Sequence, residues 1–318
     1  MKTGINYTIT EVERETGISS DTLRIWERRY GFPSPERDHR SVRIYHEKQL
    51  SRLRLLKQLL DRGMRPGKLM KLDDAQLRQL ATQATKMAPV TSEVDTLLEL
   101  VATGQTRLLR PMLESLLGEH GLRSFLSDVV EPMNHAVGAA WSAGRIGILD
   151  EHHYAEQLRM ILTAALHALP QKRETPRVLL TTLPGEQHGL GLLMAACMLG
   201  LEGAAVLMLG VQTPLEEIVR GAVEGECSVV GISCSEYMGR RTIVAQLVRL
   251  RRLLPMEITI WVGGSGSAAM RSLPAGIRLF TDLNQIPGAT QVVIQQLSGK
   301  EARAAHLPTC HRSHPPAG

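Results

Sequence analysis

The spacing of apolar residues changes three times along the 318-residue chain, and each change marks a different kind of element. In the first quarter they recur at three and four. Ile9 and Val12 predict a helix over residues 8–15, Leu23, Trp26 and Tyr30 a second over 20–30, and Leu53, Leu56 and Leu60 a third over 50–60. Gly17-Ile18 makes the turn between the first two, with Ser19 or Ser20 placed to cap the second. Between the second and third, residues 37–45 alternate charged and apolar side chains, as a short two-stranded wing does. From about 73 to 169 the helical spacing continues (Leu97, Leu98, Val101; Leu108, Met112, Leu116; Phe125, Val129, Met133, Val137). Its breaks fall at Met87-Ala88-Pro89, Gly104, residues 118–121 and residues 144–147, which reads as a helical bundle. Beyond 177 the pattern becomes short apolar runs at 178–183, 204–209, 228–233, 258–263 and 277–280 with helices between them, and a last helix over 283–297. Apolar strands alternating with helices predict a parallel, doubly wound sheet.

The chain is therefore expected to be a multidomain α plus α/β protein. Residues 1–75 form a winged helix-turn-helix head and 76–170 a four-helix-bundle cap. Residues 171–300 form a Rossmann-like, flavodoxin-like sheet domain, and 301–318 a disordered tail carrying His306, Cys310, His311 and His314.

Charge sharpens this division. Residues 1–75 hold 16 Lys and Arg against 11 Asp and Glu, whereas the rest of the chain holds 21 of each, so the whole formal excess of +5 lies in the head. A basic head on a neutral body points to nucleic acid. On the second helix Leu23, Trp26 and Tyr30 share one side, and Arg24 and Arg28 lie four apart on an adjacent face. One side packs and the other meets phosphates. Four cysteines (Cys197, Cys227, Cys234, Cys310) show no paired spacing, so neither a disulfide framework nor a zinc site is indicated. The longest apolar run, 189–201, is far shorter than the roughly 20 residues of a membrane span, and no basic-then-apolar leader opens the sequence. The expected location is cytoplasmic, away from membranes.

Two stretches carry candidate chemistry. Residues 184–191, Pro-Gly-Glu-Gln-His-Gly-Leu-Gly, follow the first strand of the sheet and open its first helix, which is where open α/β sheets take ligands. Their glycines permit a tight turn, and His188, two residues after Glu186, offers a metal-ligating imidazole. No Gly-x-Gly-x-x-Gly opens this turn, so a dinucleotide site is excluded. The other stretch lies in the bundle, where Trp141 is followed after nine residues by Glu151-His152. A helix ending near 141 and another starting near 150 place an aromatic face and a carboxylate-imidazole pair at one end of the bundle, where they can cap a ligand.

Three resemblances connect these pieces. Ile9-Thr10-Glu11-Val12, Gly17-Ile18-Ser19 and Leu23-Arg24-Ile25-Trp26-Glu27-Arg28-Arg29-Tyr30-Gly31-Phe32-Pro33, followed by Arg43-Ile44-Tyr45, resemble the MerR family of winged-helix transcription regulators. The resemblance implies binding to a double-stranded DNA operator, with Ser20, Thr22, Arg24 and Arg28 on the reading helix and Arg40 and Arg43 on the wing. MerR relatives carry Gly-Gly-His before the wing arginine, and this chain has Arg40-Ser41-Val42 there. The Trp, nine residues, Glu-His pattern resembles the bundle of cobalamin-dependent photoreceptor regulators of the CarH/LitR kind, in which it covers the upper face of adenosylcobalamin. Finally, Glu186-x-His188-x-x-Gly191 with Ser233 and Gly263-Gly264 is similar to the cobalamin-binding signature, with Glu in place of its usual Asp. It implies His188 as the lower axial cobalt ligand, Glu186 orienting the ring, and Ser233, Gly263 and Gly264 making room for the nucleotide tail.

The resemblance implies a repressor, not an enzyme, that assembles as a homodimer or homotetramer. Adenosylcobalamin in darkness promotes assembly and operator binding, and light reverses both; methylcobalamin is the alternative ligand. In that group the residue after the Trp is a His that ligates cobalt after photolysis, whereas here it is Ser142. A cobalamin-responsive or ligand-free regulator that ignores light therefore stays open. So does a corrinoid methyl-carrier protein, which has no use for a basic winged helix.

Overall fold

The computed structural model describes residues 6–38, 40–61, 64–83, 92–170, 176–235, 238–267, 270 and 273–305, with the side chains of 61, 81–83 and 300–305 excepted. The expected break at Met87-Ala88-Pro89 and the tail residues His306, Cys310, His311 and His314 lie outside them.

The head opens with β1 (Asn6–Thr8) and α1 (Ile9–Thr16). Thr8 caps α1 in a reciprocal box with Glu11, and Gly17 ends it in the left-handed conformation. The second helix, α2 (Ser20–Tyr30), is capped by Ser19 and closed by Gly31 at φ 68°. The wing consists of β2 (Glu36–Arg37) and β3 (Arg43–His46). The sheet to which the wing belongs is three-stranded, because β1 pairs antiparallel with the other edge of β3, Tyr7 opposite Tyr45. Next come α3 (Glu47–Asp61), the single turn α4 (Pro66–Leu69) and α5 (Asp74–Gln83). The head's core joins Val12, Leu23, Trp26, Tyr45, Leu50, Leu53, Leu56 and Leu77.

Leu77 in that core corrects the expected boundary at residue 75, which falls inside α5. That helix packs on α3, and Arg52 of α3 pairs with Asp74 and donates to the Leu72 carbonyl at 2.7 Å. The reason is that Leu77 finds its apolar partners in the head and not in the bundle.

The bundle contains α6 (Ser92–Ala102), α7 (Thr106–Ser124), α8 (Glu131–Ser142), entered through a π-helical turn (Phe125–Val130), and α9 (Ile148–Ala168). Of the expected break at 118–121 only Gly121 leaves helical geometry (φ 71°, ψ 160°), so Gly118 is carried inside α7.

The last unit is a five-stranded parallel sheet ordered β5-β4-β6-β7-β8, from β4 (Arg177–Thr182), β5 (Ala205–Gly210), β6 (Val229–Ser233), β7 (Thr259–Gly263) and β8 (Ile277–Leu279). Helices α10 (Leu190–Leu201) and α13 (Gln285–Ala305) share the bundle's core, and α11 (Leu215–Glu224) and α12 (Arg240–Leu253) share another. Successive residues of β4 divide between the two, Val178 and Leu180 in the first and Leu179 in the second. A strand buried on both faces reads as a near-continuous apolar run, here Val178, Leu179 and Leu180 ahead of the buried Thr181 and Thr182. Helix α13 reaches Ala305, beyond the expected start of the tail at 301.

The bundle and sheet are joined by polar bonds as well as a common core. Arg123 of α7 bonds Glu202 at 2.5 Å, and Glu202 also accepts from Gln291 of α13. Tyr154 of α9 donates to Asn134 of α8 at 2.8 Å, and Asn134 in turn donates to the Met194 sulfur of α10 at 3.4 Å. Among the described residues no helix is long and apolar enough to cross a membrane.

Candidate functional site

The strand order places a topological switch between β4 and β6, since the chain leaves β4 toward β5 on one side and returns to β6 on the other. The register aligns Thr182 with Ser233 and Ser233 with Gly263, so the ends of three central strands form one row. Loop 183–189 stands over it. The Thr182 hydroxyl donates to the Glu186 carbonyl at 2.7 Å and accepts from the Gln212 amide at 2.8 Å, which anchors the loop to the strand end.

Glu186 is 2% exposed, an unusual place for a carboxylate. Four donor groups face its two oxygens. Oε1 accepts from the His188 amide at 2.9 Å and lies 2.6 Å from His188 Nδ1; Oε2 accepts from the Ser235 amide at 2.8 Å and the Ser235 hydroxyl at 2.6 Å. Burial pushes the pKa of Glu186 up, but the hydrogen bonds from His188 and Ser235 outweigh it and hold the group at about 2. The carboxylate is therefore ionised and can only accept, so the proton between it and the ring belongs to Nδ1. A neutral His188 then carries its ring lone pair on Nε2. The side chain is 55% exposed, leaving the imidazole anchored on one edge and presented on the other.

The sequence motif points to Ser233 and not to Ser235, two residues later. Only the chain's course after β6 carries Ser235 across to Glu186, and the sequence Ser-Cys-Ser gives no sign of which serine turns that way. Ser233 occupies another part of the site, where a Cβ built on Gly191 would stand 2.8 Å from its hydroxyl oxygen. Gly191 is thus needed for the N-terminus of α10 to approach β6. Gly264, at φ 95°, lies so close to the strand-end backbone that a Cβ would stand 2.4 Å from the Cys234 carbonyl oxygen, while a Cβ on Gly263 would meet nothing nearer than 3.8 Å. Gly264→Ala is accordingly expected to destabilise the sheet domain by about 2 kcal/mol in urea unfolding, against a small effect for Gly263→Ala. Burial pushes the Cys234 thiol up to about 12, so the cysteine beneath the loop stays protonated.

The cap residues form a second group. Trp141 lies in the last turn of α8 and Glu151-His152 in the first turn of α9, on either side of the connection over 143–147. The Asp150 carboxylate accepts from the Gly147 amide at 2.8 Å and fixes the start of α9. Glu151 Oε2 is 2.6 Å from His152 Nδ1, a smaller version of the Glu186–His188 pair on an exposed ring. Trp141 is buried, and the guanidinium carbon of Arg54, from α3 of the head, lies 4.1 Å from its ring centroid. Ser142 beside it is buried as well.

The head presents the third group. Arg24, Arg28 and Arg40 are exposed, with Arg24 3.5 Å from Asp21. Thr22 takes part in the cap of α2, its hydroxyl 2.8 Å from that of Ser19, and Ser20 is half-buried beside it. Arg43 donates from Nε to Glu27 at 3.0 Å, which fastens the wing to α2. Asp38 closes the wing turn by accepting from the Arg40 and Val42 amides at 2.9 and 2.8 Å.

An imidazole fixed by a buried anion offers one nitrogen donor, which suits a metal whose remaining ligands arrive with their own macrocycle. Among the described residues there is no group of three or more metal-binding side chains. The residues present thus fit a corrinoid, with His188 as the residue that would hold it.

Residues 7–76 match the MerR HTH family of regulatory proteins, and residues 176–277 match the B12 binding domain. The chain is similar to the HTH-type transcriptional repressor CarH of Myxococcus xanthus, with 29% identity over 84% of this chain and 91% of that protein. To the repressor CarA of the same organism it is 26% identical, over 81% of this chain and 86% of that one. Among solved structures, the monomethylamine corrinoid protein of Methanosarcina barkeri shares the fold over 62% of this chain and 96% of its own, with a TM-score of 0.51 and 17% identity.

Proposed function

We propose that this chain, which joins a MerR-type helix-turn-helix to a B12-binding domain, is a transcriptional repressor whose operator binding and self-association are controlled by adenosylcobalamin and by light. The observation that carries the ligand half is the Glu186–His188–Ser235 arrangement at the switch point of the sheet. His188 is the residue that would hold cobalt, Glu186 and Ser235 keep its ring in one orientation, and Gly191, Ser233, Gly263 and Gly264 stand at the strand ends beside it. Trp141, Glu151 and His152 are assigned to the same ligand from the α8–α9 end of the bundle. Bound adenosylcobalamin would supply a cobalt centre and a light-sensitive cobalt–carbon bond. The protein's own contribution is binding and transmission, and no residue need turn over a substrate. To switch operator occupancy decisively, the ligand must favour one assembly state over the other by a few kcal/mol.

The test is to load the full chain with adenosylcobalamin in darkness and follow absorbance, gel-filtration mass and retardation of DNA before and after illumination. The reading expects a spectral change accompanied by loss of both mass and DNA retardation. Retardation that is identical in light and dark refutes light control while leaving cobalamin binding intact. That second reading, a cobalamin regulator indifferent to light, is favoured by one feature: the buried residue after Trp141 is Ser142, which has no imidazole to offer cobalt.

On the DNA side, Arg24 and Arg28 project from α2 and Arg40 from the wing turn. Arg24→Ala and Arg28→Ala are each expected to lower the slope of log affinity against log salt by about one, through loss of a phosphate contact. A titration across salt concentrations checks this, and an unchanged slope removes the residue from the interface.

A further inference from the structure

Arg54 is a head residue with an unusual environment. Its side chain is 2% exposed although it carries a full charge. Two acids of the head hold it, Glu47 at the start of α3 with an oxygen 3.2 Å from Nη1 and Glu15 of α1 with an oxygen 3.7 Å from Nη2. Among the described residues its Nε and Nη2 have no hydrogen-bond partner. What covers the guanidinium instead is the ring of Trp141, with 4.1 Å between the guanidinium carbon and the ring centroid. Next to this stack Ser51 of α3 approaches the α8–α9 connection, where a Cβ on Gly144 would stand 3.5 Å from the Ser51 hydroxyl.

We propose that Arg54 is the residue through which the state of the cap reaches the DNA-binding head. A solvated arginine can release an aromatic ring at little cost because water takes its place. A buried one with two donors already unmatched cannot, since withdrawing the ring leaves the cation facing nothing that solvates it. Any displacement of Trp141 therefore obliges Arg54 to move with it or the interface to open. Arg54 pulls on Glu47 and Glu15, which stand on the two helices, α3 and α1, that pack α2 in place. Trp141 also shares one side of α8 with Asn134, seven residues earlier, and Asn134 bonds Met194 of α10, the helix that leaves the His188 loop. A single helix thus touches the sheet's ligand end and the head. That ligand entry is what moves Trp141 rests on the proposed function; that Trp141 and Arg54 move together does not.

The test is a double-mutant cycle on DNA affinity in the full chain without ligand, using a duplex selected by the wild-type protein from a random pool. Trp141 lies outside the head, so an effect of Trp141→Ala on DNA affinity already reports transmission. Trp141→Ala and Arg54→Gln are expected to change affinity threefold to tenfold in the same direction, and the double variant to match either single one. Trp141→Phe and Arg54→Lys, which keep an aromatic ring and a positive charge, should fall between. Cap variants that bind DNA within twofold of wild type, or single effects that multiply in the double variant, overturn the proposal. Adenosylcobalamin retention, read by absorbance on the same wild-type protein, is a separate measurement. Its failure would count against the proposed ligand and leave the outcome of the cycle standing.

Discussion

His188→Ala should cost the protein its grip on adenosylcobalamin, with retention after gel filtration falling at least about 100-fold in apparent affinity. The expectation follows from where the imidazole stands. Its Nδ1 edge is tied to a buried, ionised carboxylate, its side chain is half exposed, and it sits at the switch point where an open sheet takes its ligand. The fold should tolerate the loss. The His188 amide still reaches Glu186, Ser235 still occupies the other carboxylate oxygen, and the truncated side chain faces outward. Helix content and the affinity of the ligand-free protein for DNA are thus expected to stay near wild type. Undiminished retention in the visible spectrum would show that cobalt is not held by this histidine.

Glu186→Gln tests the support beneath that ring and should be felt in both stability and binding. The substitution keeps the shape but turns one acceptor into a donor, which must face either the His188 or the Ser235 donors. A buried donor pair left unmatched costs about 1–3 kcal/mol, and a ring no longer held in one tautomer should bind the ligand about 10- to 100-fold more weakly.

The pH dependence gives a sharper signature. The Glu186 carboxyl is held at about 2 in the folded chain, below its ordinary value of 4.5. Its contribution is therefore fully present above about pH 4.5 and is lost as pH falls toward 2. It amounts to roughly 3 kcal/mol when fully present. In urea unfolding the gap between wild type and Glu186→Gln should be wide at pH 6.5 and shrink on approaching pH 2.5. A gap of equal size at both pH values would mean that the carboxylate is not held as the hydrogen bonds indicate.

The parts of this protein that rest on local spacing could be read from the chain. The five strands announce themselves as apolar runs, the three central ones because both of their faces are buried, and their observed ends differ from the expected ones by a residue or so. The caps of α1 and α2 are likewise local, since Thr8, Ser19 and the glycines at 17 and 31 act within a few residues. Where the readings failed, a distant partner decided. Helix α5 joined the head because Leu77 packs there, and the wing's sheet gained a third strand because residues 6–8 return to pair with 44–46. Gly118 stayed helical although a glycine commonly ends a helix, and the chain breaks at Gly121 alone.

The candidate site divides in the same way. Pro184-Gly185-Glu186-Gln187-His188-Gly189 is contiguous, so a carboxylate two residues before an imidazole, on a strand-to-helix turn, is visible in the sequence. Ser235, 49 residues from Glu186, and Arg54, 87 residues from Trp141, are not. Sequence by itself determined the kinds of elements, their order, the basic head and the histidine loop, because periodicity, turn residues and short motifs act over a few residues. Only the tertiary structure decided which serine completes the carboxylate's shell and which charge lies against the tryptophan. Those contacts depend on how strands and helices distant along the chain are brought together, and a buried charge takes whichever partners that packing supplies.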